Sequence, residues 1–427
     1  MEADDKIITT VQRASPAGLV RGLRLDFRVL WAIADQGVVS LGNFLTTIIL
    51  ARAVTPAAYG LWSVIFGLIL FLNVLPASLV NYPMSVRFAS QDDSEASRML
   101  TAALALTALL ALPQVLILFT AAFLIAGPGI ALTASVALVL WQLQETTRRA
   151  MMARLAFRTA VYTDAISYLG QAALCLLLAR NGNLSPQVGF GAIGLTCGLA
   201  AIVQLWLLRI PLTLDVDIRQ HASSFWATSR WILGSNLIAT CSLQAVPWTL
   251  FFQRGPAAAA GYQAITNLVG VSHPIMLSLG SFLVPAVARA RVKQGMRAAR
   301  RIAFGQTVQA GLLLLPYMLA LLVFPRALLG LFYGAGSSYL QLGGPLRLLA
   351  ITYVLTYCSL AMKFFLNALE TKNRAQFLIE LCGAIFFGAL LIPLTEAFGV
   401  SGAILATALS LVARLASNAT LVRQVNV

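Results

Sequence analysis

Charged side chains are scarce in this sequence: they make up 11% of its 427 residues, whereas apolar residues make up 59%. A soluble domain carries about 25% charged residues, so a soluble globular protein is excluded. Apolar runs of about twenty residues recur along the chain, and runs of that length predict transmembrane helices. The mean hydropathy of +0.83 agrees with a chain that lies mostly within a bilayer.

Sequence motifs of enzymes and cofactor-binding proteins are missing as well. No GxxxxGK[ST] motif is present, which excludes the common ATP-binding loop. The five cysteines fall inside apolar runs at spacings that match no metal site, and an odd number cannot all pair internally. The sequence therefore predicts neither a cofactor nor an enzyme. Any driving energy must come from an ion gradient, the membrane potential or consumption of the product.

Twelve transmembrane helices are predicted, which makes the chain an all-α membrane protein. A basic segment, 1–28, precedes them; it is unlike a cleaved signal sequence, and its amphipathic pattern predicts a helix on the membrane surface. The predicted spans are 29–51, 60–82, 99–124, 129–146, 159–179, 188–208, 231–252, 260–288, 303–325, 344–366, 376–396 and 399–422.

Lys and Arg residues are distributed unequally between the two sides of the predicted bundle. With the amino terminus inside, 23 of the 30 fall in cytoplasmic segments. Five lie in outer connections and their rims: Arg52, Arg180, Arg254, Arg326 and Arg347. The positive-inside rule then places both termini in the cytoplasm. The same asymmetry accounts for most of the net charge of +15, so a nucleic-acid partner is not needed to explain it.

The chain contains an internal duplication. The predicted outer hairpin at 50–62 reads "LARAVTPAAYGLW", and a similar stretch at 252–263 reads "FQRGPAAAAGYQ". Because six spans is an even number, both halves enter the membrane from the same side, and their pseudo-two-fold axis is predicted to run along the membrane normal. The predicted units are an N-lobe at 29–208, a cytoplasmic inter-lobe loop at 209–230 and a C-lobe at 231–423.

Charged residues inside the predicted spans are informative, because a charge in hydrocarbon is costly and normally faces a cavity or a partner. Asp35 lies in the first span, Asp164 in the fifth and Glu380 in the eleventh. Segments 148–166 and 363–381 resemble each other in polarity, which makes Asp164 and Glu380 candidate repeat equivalents. We expect these three carboxylates to bind a coupling cation. Snorkelling to the interface is the alternative for Asp35 and Glu380, and also for Lys363 in the tenth span.

Three segments carry a resemblance to a known family. They read "QGVVSLGNFLTTIILARAVTPAAYGLWSVIFGLILFLNVLPASLVNYPMSV" (36–86), "RRAMMARLAFRTAVYTDAISYLGQA" (148–172) and "GYQAITNLVGVSHPIMLSLGSFLVPAVARA" (261–290). The pattern resembles polysaccharide-biosynthesis membrane proteins, the O-antigen and exopolysaccharide repeat-unit flippases of the multidrug/oligosaccharidyl-lipid/polysaccharide exporter superfamily. The likeness extends over nearly the whole chain as patterning more than as invariant motifs.

The resemblance implies two six-helix bundles that work by alternating access. It further implies an undecaprenyl-diphosphate-linked oligosaccharide as cargo, moved from the cytoplasmic to the periplasmic leaflet of a bacterial inner membrane. A polysaccharide polymerase and a chain-length regulator are the partners that it suggests. Twelve predicted spans separate the chain from the peptidoglycan-precursor flippases of the same superfamily, which usually have fourteen.

A diphosphate cargo needs fixed positive charge. It carries about two negative charges, and arginine binds phosphate oxygens through a planar fork of donors. The candidate substrate-binding residues are Arg52 and Arg254 at the outer rim, Lys363 in the tenth span and Arg414 in the twelfth. Arg414 lies nine residues before Arg423, at a depth of about 13 Å. Two structural alternatives stay open: the rim arginines could anchor hairpins to lipid headgroups, and Glu380 could offset Arg414.

Two further functions also stay open. A cation-coupled multidrug exporter of the same fold would use Asp35, Asp164 and Glu380 as its binding carboxylates. A non-transporting scaffold of a polysaccharide assembly complex would need no charge inside the membrane. Lys363 and Arg414 favour an anionic cargo over both.

Overall fold

The computed structural model describes residues 27–88, 91–213, 215–369 and 373–424. All regular structure in these ranges is helical. Residues 1–26, most of the predicted surface segment, lie outside the described residues. The helices are α1 (Phe27–Ala53), α2 (Pro56–Arg87), α3 (Asp93–Ala126), α4 (Pro128–Ala153), α5 (Phe157–Arg180), α6 (Pro186–Leu208), α7 (Ile218–Arg254), α8 (Pro256–Gly270), α9 (His273–Gln294), α10 (Met296–Val323), α11 (Pro325–Tyr333), α12 (Gly343–Asn367) and α13 (Asn373–Gln424).

Within the described ranges, nine helices are long and apolar enough to cross a membrane, as expected of a multi-pass membrane protein. The last of these segments, Ala375–Arg423 in α13, has 49 residues, or roughly 70 Å of helix, more than twice the ~30 Å of hydrocarbon in a bilayer. Its helix breaks at Gly399, where φ is 58° and ψ is −132°. Beyond the break, the Ser410 hydroxyl donates to the Gly383 carbonyl oxygen at 2.9 Å. The two arms of α13 therefore fold back on each other.

The connection between the N-half, helices α1–α6, and the C-half, helices α7–α13, is shorter than the sequence predicts. Helix α7 begins at Ile218, so much of the predicted loop 209–230 is helical. The Asp217 carboxylate accepts a hydrogen bond from the Gln220 backbone nitrogen at 2.9 Å and caps this helix. Phe225 is buried beside Val80 on α2. This stretch is too polar to be predicted as a membrane helix, and its contact with the N-half holds it in place.

The halves meet chiefly where α2 packs against α7 and α8. Two glycines on one face of α2 permit this approach. A Cβ atom at Gly60 would lie 1.8 Å from the Pro256 carbonyl oxygen, and one at Gly67 would lie 2.5 Å from Gln244 Oε1. Small residues let membrane helices come close enough to pack through their backbones. Gly60 in the first outer hairpin therefore contacts the start of the second one directly.

Aromatic and polar contacts continue this junction inward from the hairpins. Tyr59 and Trp62 are buried in an apolar cluster that includes residues of both halves. Asn267 Nδ2 on α8 donates to the Tyr59 hydroxyl at 2.9 Å. Within the C-half, the Tyr333 hydroxyl on α11 donates to the Ala264 carbonyl oxygen at 2.9 Å and supports α8 from behind. The end of the bundle that carries the two hairpins is thus closed by contacts between the halves.

Candidate functional site

A single arginine joins three helices inside the N-half. Arg148, on α4, has a side chain only 4% exposed. Its Nη2 atom lies 2.6 Å from Asp35 Oδ2 on α1, and its Nε atom lies 2.5 Å from Asp164 Oδ2 on α5. Glu145, one turn earlier on α4, places Oε2 3.3 Å from Arg148 Nη1. These four residues are the N-half charge cluster, and both aspartates in it are fully buried.

The backbone of α5 explains how the two aspartates converge. Asp164 immediately precedes a π-helical segment, Ala165–Leu169, and such segments occur frequently at functional sites. Helix α1 lies close against it, because a Cβ atom at Gly42 would be only 2.5 Å from the Tyr168 carbonyl carbon. A glycine on α1 and a widened turn on α5 therefore bring these helices together near the cluster.

Amides surround the N-half charge cluster without satisfying all of its atoms. Gln36 Nε2 lies 3.3 Å from Asp35 Oδ2, and Gln144 Nε2 lies 3.4 Å from Asp164 Oδ1. Asp35 Oδ1 and Gln144 Oε1 are buried and accept no hydrogen bond from any described residue. Buried polar atoms without a partner are uncommon in native proteins. A proton or a small cation would find free acceptor oxygens here.

The C-half holds a second group of charges. Glu380, on the first arm of α13, binds two cations: its Oε1 lies 3.3 Å from Lys363 Nζ on α12, and its Oε2 lies 2.8 Å from Arg414 Nη1 on the second arm. These three residues are the C-half charge cluster. Their side chains are 31%, 42% and 19% exposed, respectively, so this cluster is more accessible than the one in the N-half. Gly383 leaves room for Arg414, since any Cβ atom there would collide with its side chain.

The two clusters occupy corresponding positions in the predicted internal duplication. Arg148 and Lys363 are 215 residues apart in sequence, and Asp164 and Glu380 are 216 apart. Each half therefore contains a cation near the carboxyl-terminal end of one helix paired with a carboxylate in the next helix. The N-half adds two carboxylates to this pair, those of Asp35 and Glu145, whereas the C-half adds a second cation, Arg414.

These additions give the clusters opposite net charge. In the N-half, the carboxylates of Asp35, Glu145 and Asp164 face Arg148, and Arg149 at the edge of the cluster, 2.5 Å from Glu145, offsets a second carboxylate. With all three carboxylates ionised, the formal charge of this group including Arg149 is −1. In the C-half, two cations share one carboxylate, which leaves one positive charge. The N-half cluster can accept a cation, and the C-half cluster can accept an anion.

The structure thus brings most of the sequence-predicted site residues into two groups. Asp35 and Asp164 share Arg148, and Glu380 lies between Lys363 and Arg414. The structure shows Arg414 paired with Glu380, which was the alternative to a phosphate-binding role for this arginine. The transport roles of these residues stay predictions.

The two rim arginines have different surroundings. Arg254, at the end of α7, donates from Nε to the Thr395 carbonyl oxygen at 3.2 Å and from Nη2 to the Glu396 carbonyl oxygen. These hydrogen bonds hold the end of α7 against the segment of α13 that precedes the break at Gly399. Arg52, at the end of α1, makes no hydrogen bond or ion pair with any described residue and lines a groove beside Arg180.

Arg148 is the residue that sequence reasoning missed. Hydropathy ends the fourth span at 146, which assigns Arg148 to a cytoplasmic connection. In the structure α4 continues to Ala153 and the arginine is buried. The duplication contained the signal, because the alignment of 148–166 with 363–381 pairs Arg148 with an intramembrane lysine.

We expect the C-half charge cluster to be more sensitive to loss of its carboxylate than to loss of one cation. Glu380→Gln leaves Lys363 and Arg414 facing each other uncompensated, and we expect it to cost about 1–3 kcal/mol of stability. Arg414→Ala leaves Glu380 with its lysine partner and should cost less. Thermal unfolding of the purified variants, with Thr420→Ala as a control at an exposed position of the same arm, compares them. An equal or reversed order would contradict the shared-carboxylate arrangement.

No family model matches the sequence, and no curated protein matches it. Solved structures do match. A structure described as the inward-facing conformation of a multidrug resistance MATE family transporter of the MOP superfamily aligns with a TM-score of 0.74 at 12% identity, over 92% of this chain and 99% of the other. Lipid II flippase MurJ in an inward closed conformation aligns with a TM-score of 0.75 at 13% identity, over 92% and 87% of the two chains.

The MATE multidrug transporter DinF-BH aligns with a TM-score of 0.65 at 14% identity, over 92% of this chain and 94% of the other. At these identities the likeness concerns the fold. The chain has a fold similar to that of MATE transporters and MurJ.

Proposed function

We propose that the protein is a flippase for lipid-linked oligosaccharides. It moves an undecaprenyl-diphosphate-linked repeat unit from the cytoplasmic to the periplasmic leaflet of a bacterial inner membrane. Two six-span lobes with both termini cytoplasmic alternate access to the cargo, which then serves a polysaccharide polymerase and its chain-length regulator. MurJ, named a lipid II flippase, has the same fold and supports a lipid-linked cargo.

The observation that carries this proposal is the net positive charge of the C-half charge cluster. A buried arginine costs about 3 kcal/mol by insertion scales, so a pair of cations beside one carboxylate is not expected without a use. Lys363 and Arg414 share Glu380 and are partly exposed. A diphosphate oxygen can take the place of the missing second carboxylate, and Arg414 can hold it through its forked donors.

The N-half charge cluster supplies the coupling ion site in this proposal. Its net charge is negative, and Asp35 Oδ1 is a buried oxygen without a hydrogen-bond donor among the described residues. A cation that binds there neutralises the cluster and weakens the hold of Arg148 on one aspartate. Because Arg148 links α1, α4 and α5, loosening this link changes how the three helices pack.

Transport in proteoliposomes tests the cargo and the coupling together. We expect the wild-type protein to deliver a fluorescent lipid-linked oligosaccharide to the far leaflet faster under an imposed proton or sodium gradient. Asp35→Asn and Asp164→Asn should lose the gradient dependence while the protein stays folded, whereas Asp215→Asn, at an 89% exposed position between the halves, should keep it. Transport that ignores both gradients would rule out coupling and leave facilitated flipping.

A cation-coupled multidrug exporter is the second candidate. The observation in its favour is the same excess of carboxylate in the N-half, together with the fold shared with MATE transporters. This function predicts gradient-driven movement of a cationic dye in the same vesicles. Dye transport without transport of the lipid-linked oligosaccharide would select it over the flippase.

A further inference from the structure

An apolar groove of about 650 Å³ lies between α1 and α5 on the surface of the N-half. Its walls are aliphatic side chains such as Leu45 and Leu176, which are 37% and 40% exposed. Small residues on α5, among them Ala172 and Ala173, form a depression between them. The groove therefore has the shape and polarity to hold a hydrocarbon chain.

The groove has a charged mouth at one end only. Arg52 in the last turn of α1 and Arg180 in the last turn of α5 both line it. Both are exposed, and neither makes a hydrogen bond or an ion pair within the described ranges. Helix carboxyl termini favour cations, so these arginines are stable there without an acidic partner. Of the 15 acidic residues, only Glu396 lies near a predicted outer connection. Few carboxylates at this end of the protein can therefore compete with a bound anion for the two arginines.

The length of the groove matches one leaflet. From Arg180 it extends along α5 to Leu169, about 16 Å at 1.5 Å per residue. Half of a hydrocarbon core is about 15 Å. A ligand with its phosphate at the arginines would therefore lay the first part of its tail along the groove, down to the middle of the membrane.

We propose that this groove binds an isoprenoid diphosphate at the outer leaflet, with the diphosphate on Arg52 and Arg180 and the tail between α1 and α5. The proposal rests on the proposed cargo and assigns its headgroup and tail a place once it has crossed. Two guanidinium groups match the two negative charges of a diphosphate. Arg180 thus replaces Arg254 as the partner of Arg52, since Arg254 is bound to the turn of α13.

Binding to purified protein in detergent, measured by native mass spectrometry with added undecaprenyl diphosphate, tests the groove directly. We expect Arg52→Ala combined with Arg180→Ala to weaken binding about tenfold or more, which is at least 1.4 kcal/mol. Ala173→Trp, which fills the groove and changes no charge, should weaken it similarly. Arg326→Ala, another exposed outer arginine, and Leu177→Trp, a lipid-facing position outside the groove, are the matched controls and should leave binding unchanged.

Two competitors separate the possible ligands. Displacement by phosphatidylglycerol at an equal concentration would mean an ordinary phospholipid site, and displacement by inorganic diphosphate would mean an anion site without a tail groove; either result overturns the proposal. The transport assay keeps the two proposals apart. If the groove variants transport the oligosaccharide and bind undecaprenyl diphosphate as the wild type does, the groove proposal is wrong and the proposed function is unaffected. If the groove variants lose binding of undecaprenyl diphosphate but the wild-type protein does not transport the oligosaccharide, the groove proposal is supported and the proposed cargo is wrong.

Discussion

Arg148→Met is expected to be among the most destabilising single substitutions in this protein. It leaves the carboxylates of Asp35 and Asp164 buried without the cation that lies 2.6 Å and 2.5 Å from them. Removing one partner of a buried ion pair costs about 3–5 kcal/mol, because the remaining charge stays desolvated. We expect a lower yield of folded protein and an earlier thermal transition than in Arg149→Ala, whose arginine is adjacent in sequence but 46% exposed.

A triple substitution separates the structural role of Arg148 from transport. Arg148→Met with Asp35→Asn and Asp164→Asn removes the arginine and both of its buried aspartate partners, and it leaves Glu145 paired with Arg149. Replacing a buried ion pair by uncharged side chains costs much less stability than leaving one buried charge without its partner. We expect stability to recover while gradient-dependent transport stays lost. An Arg148→Met protein as stable as the wild type would show that the arginine does not hold α1, α4 and α5 together.

Gly60→Ala is expected to hold the outer end of the protein open. A Cβ atom at this position would lie 1.8 Å from the Pro256 backbone oxygen, which cannot rotate away as a side chain would. Overpacking costs about 1–3 kcal/mol, and a cost confined to the closed outer end shifts the conformational equilibrium about 5–150-fold toward the open one. Transport should fall while folding is retained, because α2 and α8 can separate without unfolding.

Gly191→Ala is the matched control, since a Cβ atom on this glycine of α6 would meet nothing within 4 Å. Spin labels on the two outer hairpins, at Ala58 and Ala257, report the distance between the halves. We expect a longer distance in Gly60→Ala than in the wild type or in Gly191→Ala. An unchanged distance together with normal transport would show that α2 and α8 do not need their close contact.

Much of the helical content could be predicted from the sequence. Apolar runs near twenty residues predict membrane helices because the bilayer core is about 30 Å thick and every backbone group in it must be paired within the helix. Ten of the twelve predicted spans fall within observed helices. The predicted span 260–288 is divided between α8 and α9 at residues 271–272, and the predicted span 303–325 passes from the end of α10 into the start of α11. The reversal of α13 at Gly399 lies at the first residue of the last predicted span. The twelve-span count, the two lobes and the orientation stay predictions, since the structure contains no membrane.

The candidate site could be predicted from the sequence only in part. A carboxylate in an apolar span needs a partner or a cavity, so hydropathy alone marks Asp35, Asp164 and Glu380 as candidate site residues. It does not say which cation each one meets. Arg148 was assigned to a loop because four polar or charged residues around it lowered the local hydropathy, although the duplication already paired its segment with that of Lys363.

The sequence by itself determined which segments are apolar helices and which charged residues lie among them. These properties are local, since they depend on the solvent that each helix meets and on its own backbone. Only the tertiary structure decided that Arg148 lies between two aspartates, one of them 113 residues away, and that Gly60 touches Pro256. It also placed Arg52 beside Arg180 rather than Arg254. A charge in hydrocarbon needs a partner, but this requirement does not say which residue the partner is. The packing of the helices determines which residues meet.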